Sequence, residues 1–300
     1  MKLTIAIPTY NRPDTVLKTV LKLLSFPNSN RVNILIIDNG SDVNIVDFFQ
    51  DKLPKLSNLS IKRFETNAGF HESFYRLFDE CETEYLMSLS DEDYFDLSYL
   101  NEVLEILVSD SPNLLVVSAK NKSRFLSKSN RTRLPLYRLK DETSYISGLI
   151  YKTRPVVENI NFFRGLSNSE EFAFLYPAVL VAFALALDGR CLRFKKVGIQ
   201  IGVIVPSTIA SKQGSAFYLP TERVYQHVSL INVLNLFDLE FSRFKKKIKV
   251  IKFAAKLNFF GTVYDAVGII SKDVQRDLIF SGVKTNISFF ARNITNKLRS

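Results

Sequence analysis

The 300-residue chain has two cysteines, two histidines and no tryptophan. Two thiols, Cys81 and Cys191, cannot build a disulfide framework or a four-thiolate zinc site. They read as buried small hydrophobes. Two imidazoles, His71 and His227, argue against a histidine-based metal centre, so any metal would be held by oxygen. His71 is expected on the surface of a helix N-terminus and His227 as a hydrogen-bonded core residue. Eleven glycines and ten prolines are too few for a fibrous or linker-dominated chain. Long hydrophobic runs are also missing. The longest, Leu175 to Leu187, spans about 13 residues, is interrupted by Pro177 and falls short of the roughly 20 that cross a bilayer. The opening MKLTIAIPTYNRPD breaks its short apolar stretch at Pro8, unlike a secretory signal. These absences predict a soluble or peripherally membrane-bound protein of a reducing cytoplasm.

What is present is ordinary globular composition, 46% hydrophobic and 23% charged. The net charge of +10 is unevenly spread. Residues 1–110 hold 10 Lys+Arg against 18 Asp+Glu, whereas residues 241–300 hold 13 against 3. An acidic front and a basic back suggest a chain that meets polyanions or a membrane surface, or one with a solvated basic face. Net charge alone would also suit a nucleic-acid binder, but the acidic front and the lack of nucleic-acid motifs oppose that reading.

Periodicity organises the first 120 residues. Leu3–Ile7 and Val32–Ile37 read as buried strands, and Leu59–Phe64, Tyr85–Leu89 and Leu114–Ser118 as three further strands. Helical patterns lie between them: one after Asn11–Asp14, then 44–52, 70–80 and 97–108. Alternation of this kind predicts an α/β fold with a mostly parallel sheet and right-handed crossovers. Ligands in such folds sit at the carboxyl ends of the strands. Four polar clusters fall there: Thr9–Asn11, Asp38–Asp42, Asn67–Gly69 and Asp91–Asp93.

Further on, Lys120–Lys140 reads as a mobile basic loop whose Arg124, Lys128, Arg131 and Arg133 could meet a diphosphate-linked acceptor or simply face solvent. Glu170–Leu187 reads as a largely apolar helix kinked or begun at Pro177. Two strands are expected around Gly198, and a helix over Tyr225–Phe237. The tail places basic residues along Ser242–Phe253 with Phe and Ile between them, and a second amphipathic stretch covers Ile287–Leu298. A basic amphipathic helix with aromatic anchors suits an anionic membrane surface; packing on the main domain with a solvated Lys face is the alternative.

Asp91-Glu92-Asp93 closes the fourth strand. Three adjacent acids repel one another unless a cation or strong donors compensate. An oxygen-ligated Mn²⁺ or Mg²⁺ fits; a solvated turn before a helix is the plainer account. At Asp38, a carboxylate on a second strand end can accept hydrogen bonds from a base or ribose. A general base is expected in the later half. Glu170 and Glu171 start a largely apolar segment, where burial raises a carboxyl pKa or a helix dipole favours the charge. Asp141, Glu142 and Asp188 compete with them.

Ile5-Ala6-Ile7-Pro8-Thr9-Tyr10-Asn11-Arg12-Pro13 resembles the opening of family 2 glycosyltransferases. Ile36–Asp42, Asn67-Ala68-Gly69 and Leu89–Asp93 resemble their second, third and Asp-x-Asp motifs in the same order. Ser144–Tyr151 is similar to the abequosyltransferase-like branch, which builds bacterial surface polysaccharide. The resemblance implies the GT-A fold, a Rossmann-like sheet flanked by helices, here with a helical basic C-terminal extension. Its implied division is a nucleotide-sugar-binding half (1–120), an acceptor half of the same domain (121–225) and a helical region (226–300). It places Pro8, Thr9, Tyr10 and Asn11 beside the nucleotide, together with Asn67. It also implies that Asp38 contacts base or ribose, Asp91 the ribose and metal, and Asp93 the metal. Ser90 and Glu92 stand where the family often has Asp. The implied activity is metal-dependent, inverting transfer from a nucleotide sugar to a glycan or lipid-linked glycan, for O-antigen or capsule. An inactive scaffold on the same fold is the alternative.

Overall fold

The computed structural model describes residues 2–50, 52–53, 55–118, 130–202 and 220–256. Apolar side chains alternate between two buried faces along each central strand, as a period of two requires when both faces are covered. In β1 (Leu3–Thr9), Ile5 and Ile7 enter one core while Ala6 enters the other. In β2 (Asn33–Asp38), Ile34 and Ile36 join the first and Leu35 and Ile37 the second. The result is a three-layer sandwich. One helical layer holds α1 (Pro13–Leu24), α2 (Ile45–Gln50) and α4 (Leu100–Ser109). The other holds α3 (Phe70–Asp79) and a later group of helices.

The eight-stranded sheet runs β3-β2-β1-β4-β8-β6-β9-β7. Its first four strands, including β3 (Leu59–Arg63) and β4 (Tyr85–Ser88), are parallel, as the alternating pattern predicts. The next neighbour departs from it. β8 (Leu149–Lys152) inserts antiparallel between β4 and β6 (Leu114–Val117). Gly148 opens that insertion at φ +85°, where a Cβ would lie 2.3 Å from the Val117 carbonyl oxygen. A side chain there would push the strand out of the sheet. A two-stranded ribbon of β5 (Tyr94–Phe95) and β10 (Ile199–Gln200) stands apart from the main sheet.

Arg131–Arg133, expected in a loop, forms β7, paired antiparallel with β9 (Cys191–Phe194). Ion pairing of Arg131 with Asp110 supplies the local fixation that composition does not reveal. Arg124 and Lys128 lie outside the described residues, as does Ile287–Leu298.

Short helices α5 (Leu139–Thr143), α6 (Thr153–Val157) and α7 (Ile160–Ser169) precede the apolar segment. That segment divides into α8 (Glu171–Leu175) and α9 (Pro177–Asp188). Tyr176 leaves helical geometry at ψ +55°, and Pro177 begins the new helix. Every residue of α9 from Pro177 to Leu187 is buried. α10 (Pro220–Glu240) and a helix over 245–256 cover it through Leu230, Leu234, Ile248 and Ile251. Among the described residues no helix is long and apolar enough to cross a membrane.

Candidate active site

The polar turns at the ends of β1, β2 and β4 and the start of α3 meet at one edge of the sheet. Between them lies a cleft of about 170 Å³, lined among others by Pro8, Thr9, Tyr10, Arg12, Asn39, Asn67, Ser73, Ser90 and Asp91. Side chains of one turn bond the backbone of the next. Asn11 adopts φ +54°, a region asparagine tolerates. Its N–H donates to Ser41 Oγ at 2.8 Å, and its Oδ1 accepts from the Asp42 N–H at 2.8 Å. Asn39 Nδ2 donates to Asn67 Oδ1 at 2.8 Å, and Asn39 Oδ1 accepts the Ala68 N–H at 3.0 Å. Gly40, at φ +74°, lets the second turn press on the third: a Cβ there would lie 2.6 Å from the Thr66 carbonyl carbon.

The fourth turn is held from the first helix and strand. Thr9 Oγ1 donates to Asp91 Oδ2 at 2.8 Å, and Thr19 Oγ1 donates to the Asp91 carbonyl at 2.6 Å. Arg12 Nη1 reaches Asp91 Oδ1 at 3.0 Å and Glu92 Oε2 at 2.6 Å. Burial pushes the Asp91 carboxyl above the ordinary range, with Arg12 opposing the shift. Glu92 is raised for the same reason. The two acids thus meet on one guanidinium nitrogen, that of Arg12.

Other expected residues are placed differently. Asp38 is fully buried. Its Oδ1 accepts from the Ser41 N–H at 3.0 Å and from Ser41 Oγ, and its Oδ2 accepts from Arg63 Nη1 at 2.8 Å. This carboxylate shapes the turn, and its neighbour Asn39 is the residue on the cleft wall. Asp93 is fully buried too. It accepts from Tyr145 Oη, Ser147 Oγ and, at 3.0 Å, the Gly202 N–H. Thus Asp93 pins the segment entering β8, and burial with the nearby Asp93 charge raises the Tyr145 pKa. Among the described residues no three His, Cys, Asp or Glu side chains enclose a metal position.

Glu170 and Glu171 are not among the cleft-lining residues. Glu170 is half-buried and accepts from Ser229 Oγ of α10 at 2.8 Å, while the same hydroxyl accepts the Phe172 N–H at 2.9 Å. Glu171 is exposed. Of their competitors, Glu142 pairs with Arg193 and Asp188 with Arg243. Asp141 borders a second cavity with Lys140, Tyr176 and His227. As expected, His227 is buried and hydrogen-bonded, 2.9 Å from Lys140 Nζ. His71 lies at the N-terminus of α3, as expected, but is half-buried rather than on the surface. Its ring stacks on Phe174 at 4.6 Å, its Nδ1 is buried without a partner, and burial lowers its pKa.

Sequence reasoning left Arg12, Asn39, Ser73 and Ile146 unassigned, though all line the cleft. Arg12 and Asn39 sit inside the motifs and were legible there. Ser73 was not: its Oγ is buried without a partner and faces the cleft only because α3 packs under β1 and β2.

Solved structures share this architecture. S. aureus TarS 1-349 in complex with UDP-GlcNAc superposes with a TM-score of 0.58 at 17% identity, over 91% of this chain and 83% of that one. The mannosyltransferase PcManGT from Pyrobaculum calidifontis, in complex with GDP-Man and Mn²⁺, gives a TM-score of 0.58 at 12% identity, over 99% and 80%. Both likenesses fit the GT-A fold expected from the motifs. No curated protein sequence matches the chain. The family model for glycosyl transferase family 2 matches residues 4–167, which include all four strand-end turns, and the chain belongs to that family.

Proposed function

We propose that this protein is an inverting glycosyltransferase. It moves a hexosyl or deoxyhexosyl group from a nucleotide sugar to a hydroxyl of a glycan or lipid-linked glycan, in the assembly of a bacterial surface polysaccharide such as O-antigen or capsule. The observation that carries this reading is the convergence of four interlocked turns on one cleft with a desolvated carboxylate, Asp91, in its wall. The nucleotide sugars in the TarS and PcManGT complexes support the donor class.

In this reading residues 1–120 bind the donor, 121–225 the acceptor, and 226–300 form the attachment region. Pro8, Thr9 and Tyr10 flank the nucleotide, with Asn39 and Asn67 also lining the cleft. A divalent ion, Mn²⁺ or Mg²⁺, fits Asp91 and Glu92, whose oxygens meet on one guanidinium nitrogen. Bound there, it would neutralise the charge growing on the leaving diphosphate. Asp93, fully buried and accepting from Tyr145, Ser147 and the Gly202 N–H, is assigned to holding the cleft wall. The Glu170–Glu171 pair supplies the base that takes the acceptor hydroxyl proton.

The helix over 245–256 exposes Lys245, Lys246, Lys249 and Lys256 beside Phe253, which is 64% exposed. That surface suits an anionic membrane face. The main test is thermal stabilisation by UDP, GDP, CDP, dTDP and their sugars, with and without Mn²⁺, followed by an assay for released nucleoside diphosphate. One nucleotide should raise the melting temperature, more strongly with metal. No shift with any of them, from a folded sample, would favour the inactive scaffold.

A further inference from the structure

We infer that the second cavity, between α5, the α8–α9 junction and α10, seats one uncharged sugar residue of the acceptor. The inference rests on the glycosyltransferase reading above and deepens it, giving the acceptor a place and a chemical class. The cavity measures about 230 Å³ and shares no lining residue with the donor cleft.

Three observations carry it. First, the lining matches a sugar ring, which presents C–H faces and a rim of hydroxyls that both donate and accept. Phe172 and Val179 supply apolar wall, and the Phe172 and Tyr176 rings lie 5.1 Å apart at 36°. Tyr176 Oη donates to Gln226 Oε1 at 3.3 Å, and the buried Gln226 amide carries donor and acceptor together. The volume is below the roughly 300–1,000 Å³ of pockets that take drug-sized ligands, which limits the occupant to one ring. Second, the charges balance. Lys140 and Asp141 bring one of each sign. Lys140 Nζ lies 2.9 Å from His227 Nε2. An ammonium only donates, so this nitrogen accepts and the imidazole is uncharged. A neutral cavity penalises a phosphate or a uronate, whose charge it would bury without a net counter-charge.

Third, the cavity is joined to both halves of the reaction. Ser144 lines it, and Ile146 lines the donor cleft. Tyr145, between them, donates to Asp93 in the acidic turn. One residue of chain thus separates the two linings. On its other side, the Phe172 wall is tied to Glu170 through Ser229, whose Oγ accepts the Phe172 N–H at 2.9 Å and donates to Glu170 Oε2 at 2.8 Å. Glu170 belongs to the pair assigned above to take the acceptor proton.

The test is saturation-transfer NMR on the full chain with the methyl glycosides of glucose, galactose, mannose, rhamnose and N-acetylglucosamine, and with methyl glucuronide as the charged control. At least one neutral glycoside should give a signal stronger than the glucuronide. Ser144→Trp fills the cavity from an exposed position and should remove that signal. Tyr176→Phe keeps the ring and loses the hydroxyl. With the same glycoside as acceptor, assayed by nucleoside diphosphate release, it should raise the acceptor KM about tenfold and leave kcat within about twofold, the mark of lost ground-state binding. Melting curves confirm that each variant is folded, and Tyr176→Phe carries the test if Ser144→Trp is not. No signal from any neutral glycoside, a preference for the glucuronide, a signal undiminished in folded Ser144→Trp, or an acceptor KM unmoved by Tyr176→Phe overturns the inference. If a neutral glycoside binds and Ser144→Trp abolishes it, yet no nucleotide sugar is consumed, the sugar seat stands and the transferase reading fails.

Discussion

The wall of the cleft built by the first 93 residues and the region around Glu170 are held by different means. The former is a set of short turns at strand ends, each bonded to the next by small polar side chains such as Asn11, Asn39 and Thr9. The latter is assembled from helices, where Glu170 and the Phe172 N–H meet Ser229 from 59 and 57 residues away. Local turns put site residues into contiguous motifs. Helix packing brings together side chains that are far apart in the chain. The difference teaches where sequence motifs can locate side-chain contacts in this molecule and where they cannot.

The comparison sharpens if the two regions are broken separately. Gly40→Ala should have the largest effect. It forces a Cβ to within 2.6 Å of Thr66 backbone at positive φ. We expect a loss of about 3 kcal/mol in urea unfolding, with nucleotide binding lost as well. Asp91→Asn should leave the fold in place yet lower turnover by about 10²–10³-fold and abolish metal-dependent nucleotide stabilisation. On the other side, Ser229→Ala removes the shared partner of Glu170 and Phe172 and should cost about 1–2 kcal/mol of stability. Nucleotide stabilisation should be unchanged. Glu170→Gln and Glu171→Gln, assayed singly, should identify the base by a turnover loss without loss of donor binding.

A pH series gives a smaller effect with a definite sign. Burial raises the carboxyls of Asp91 and Glu92 in the folded chain. Acids raised on folding hold their protons more tightly than in the unfolded chain, so their contribution to stability is fullest at low pH. It is lost as pH rises from the ordinary carboxylate value through the raised one. Measured by urea unfolding between about pH 4 and 7, Asp91→Asn should gain on wild type as pH rises. A constant difference would contradict the burial account. Smallest in stability is the triple change of Lys245, Lys246 and Lys249 to Gln. It should shift unfolding by less than about 0.5 kcal/mol, yet weaken flotation with vesicles containing phosphatidylserine.

Much of the fold was legible because its signals are local. Apolar runs ending in polar turns located β1, β2, β3, β4 and β6 within a few residues. Pro177 announced the helix that begins there. β7 was missed because it is three residues long and basic, and it is fixed by β9 and Asp110. The antiparallel placement of β8 was not legible either, since the same apolar run fits either direction and only its neighbours choose. At the site, Asp91 was found from an acid cluster, whereas Ser73 carries no signal beyond being one serine on a helix.

The sequence by itself determined the alternating α/β order, the positions of the four strand-end turns and the identity of the acids among them. It did so because strand periodicity, helix starts and turn residues act over only a few positions. Tertiary structure decided where each acid sits and what it bonds. Asp38 and Asp93, equal to Asp91 in sequence terms, are fully buried and bonded to Arg63, Ser41, Tyr145 and Ser147, whereas Asp91 lines the cleft with Arg12. A carboxylate's role follows from which donors surround it and how much water it keeps, and both are set by residues far away in the chain.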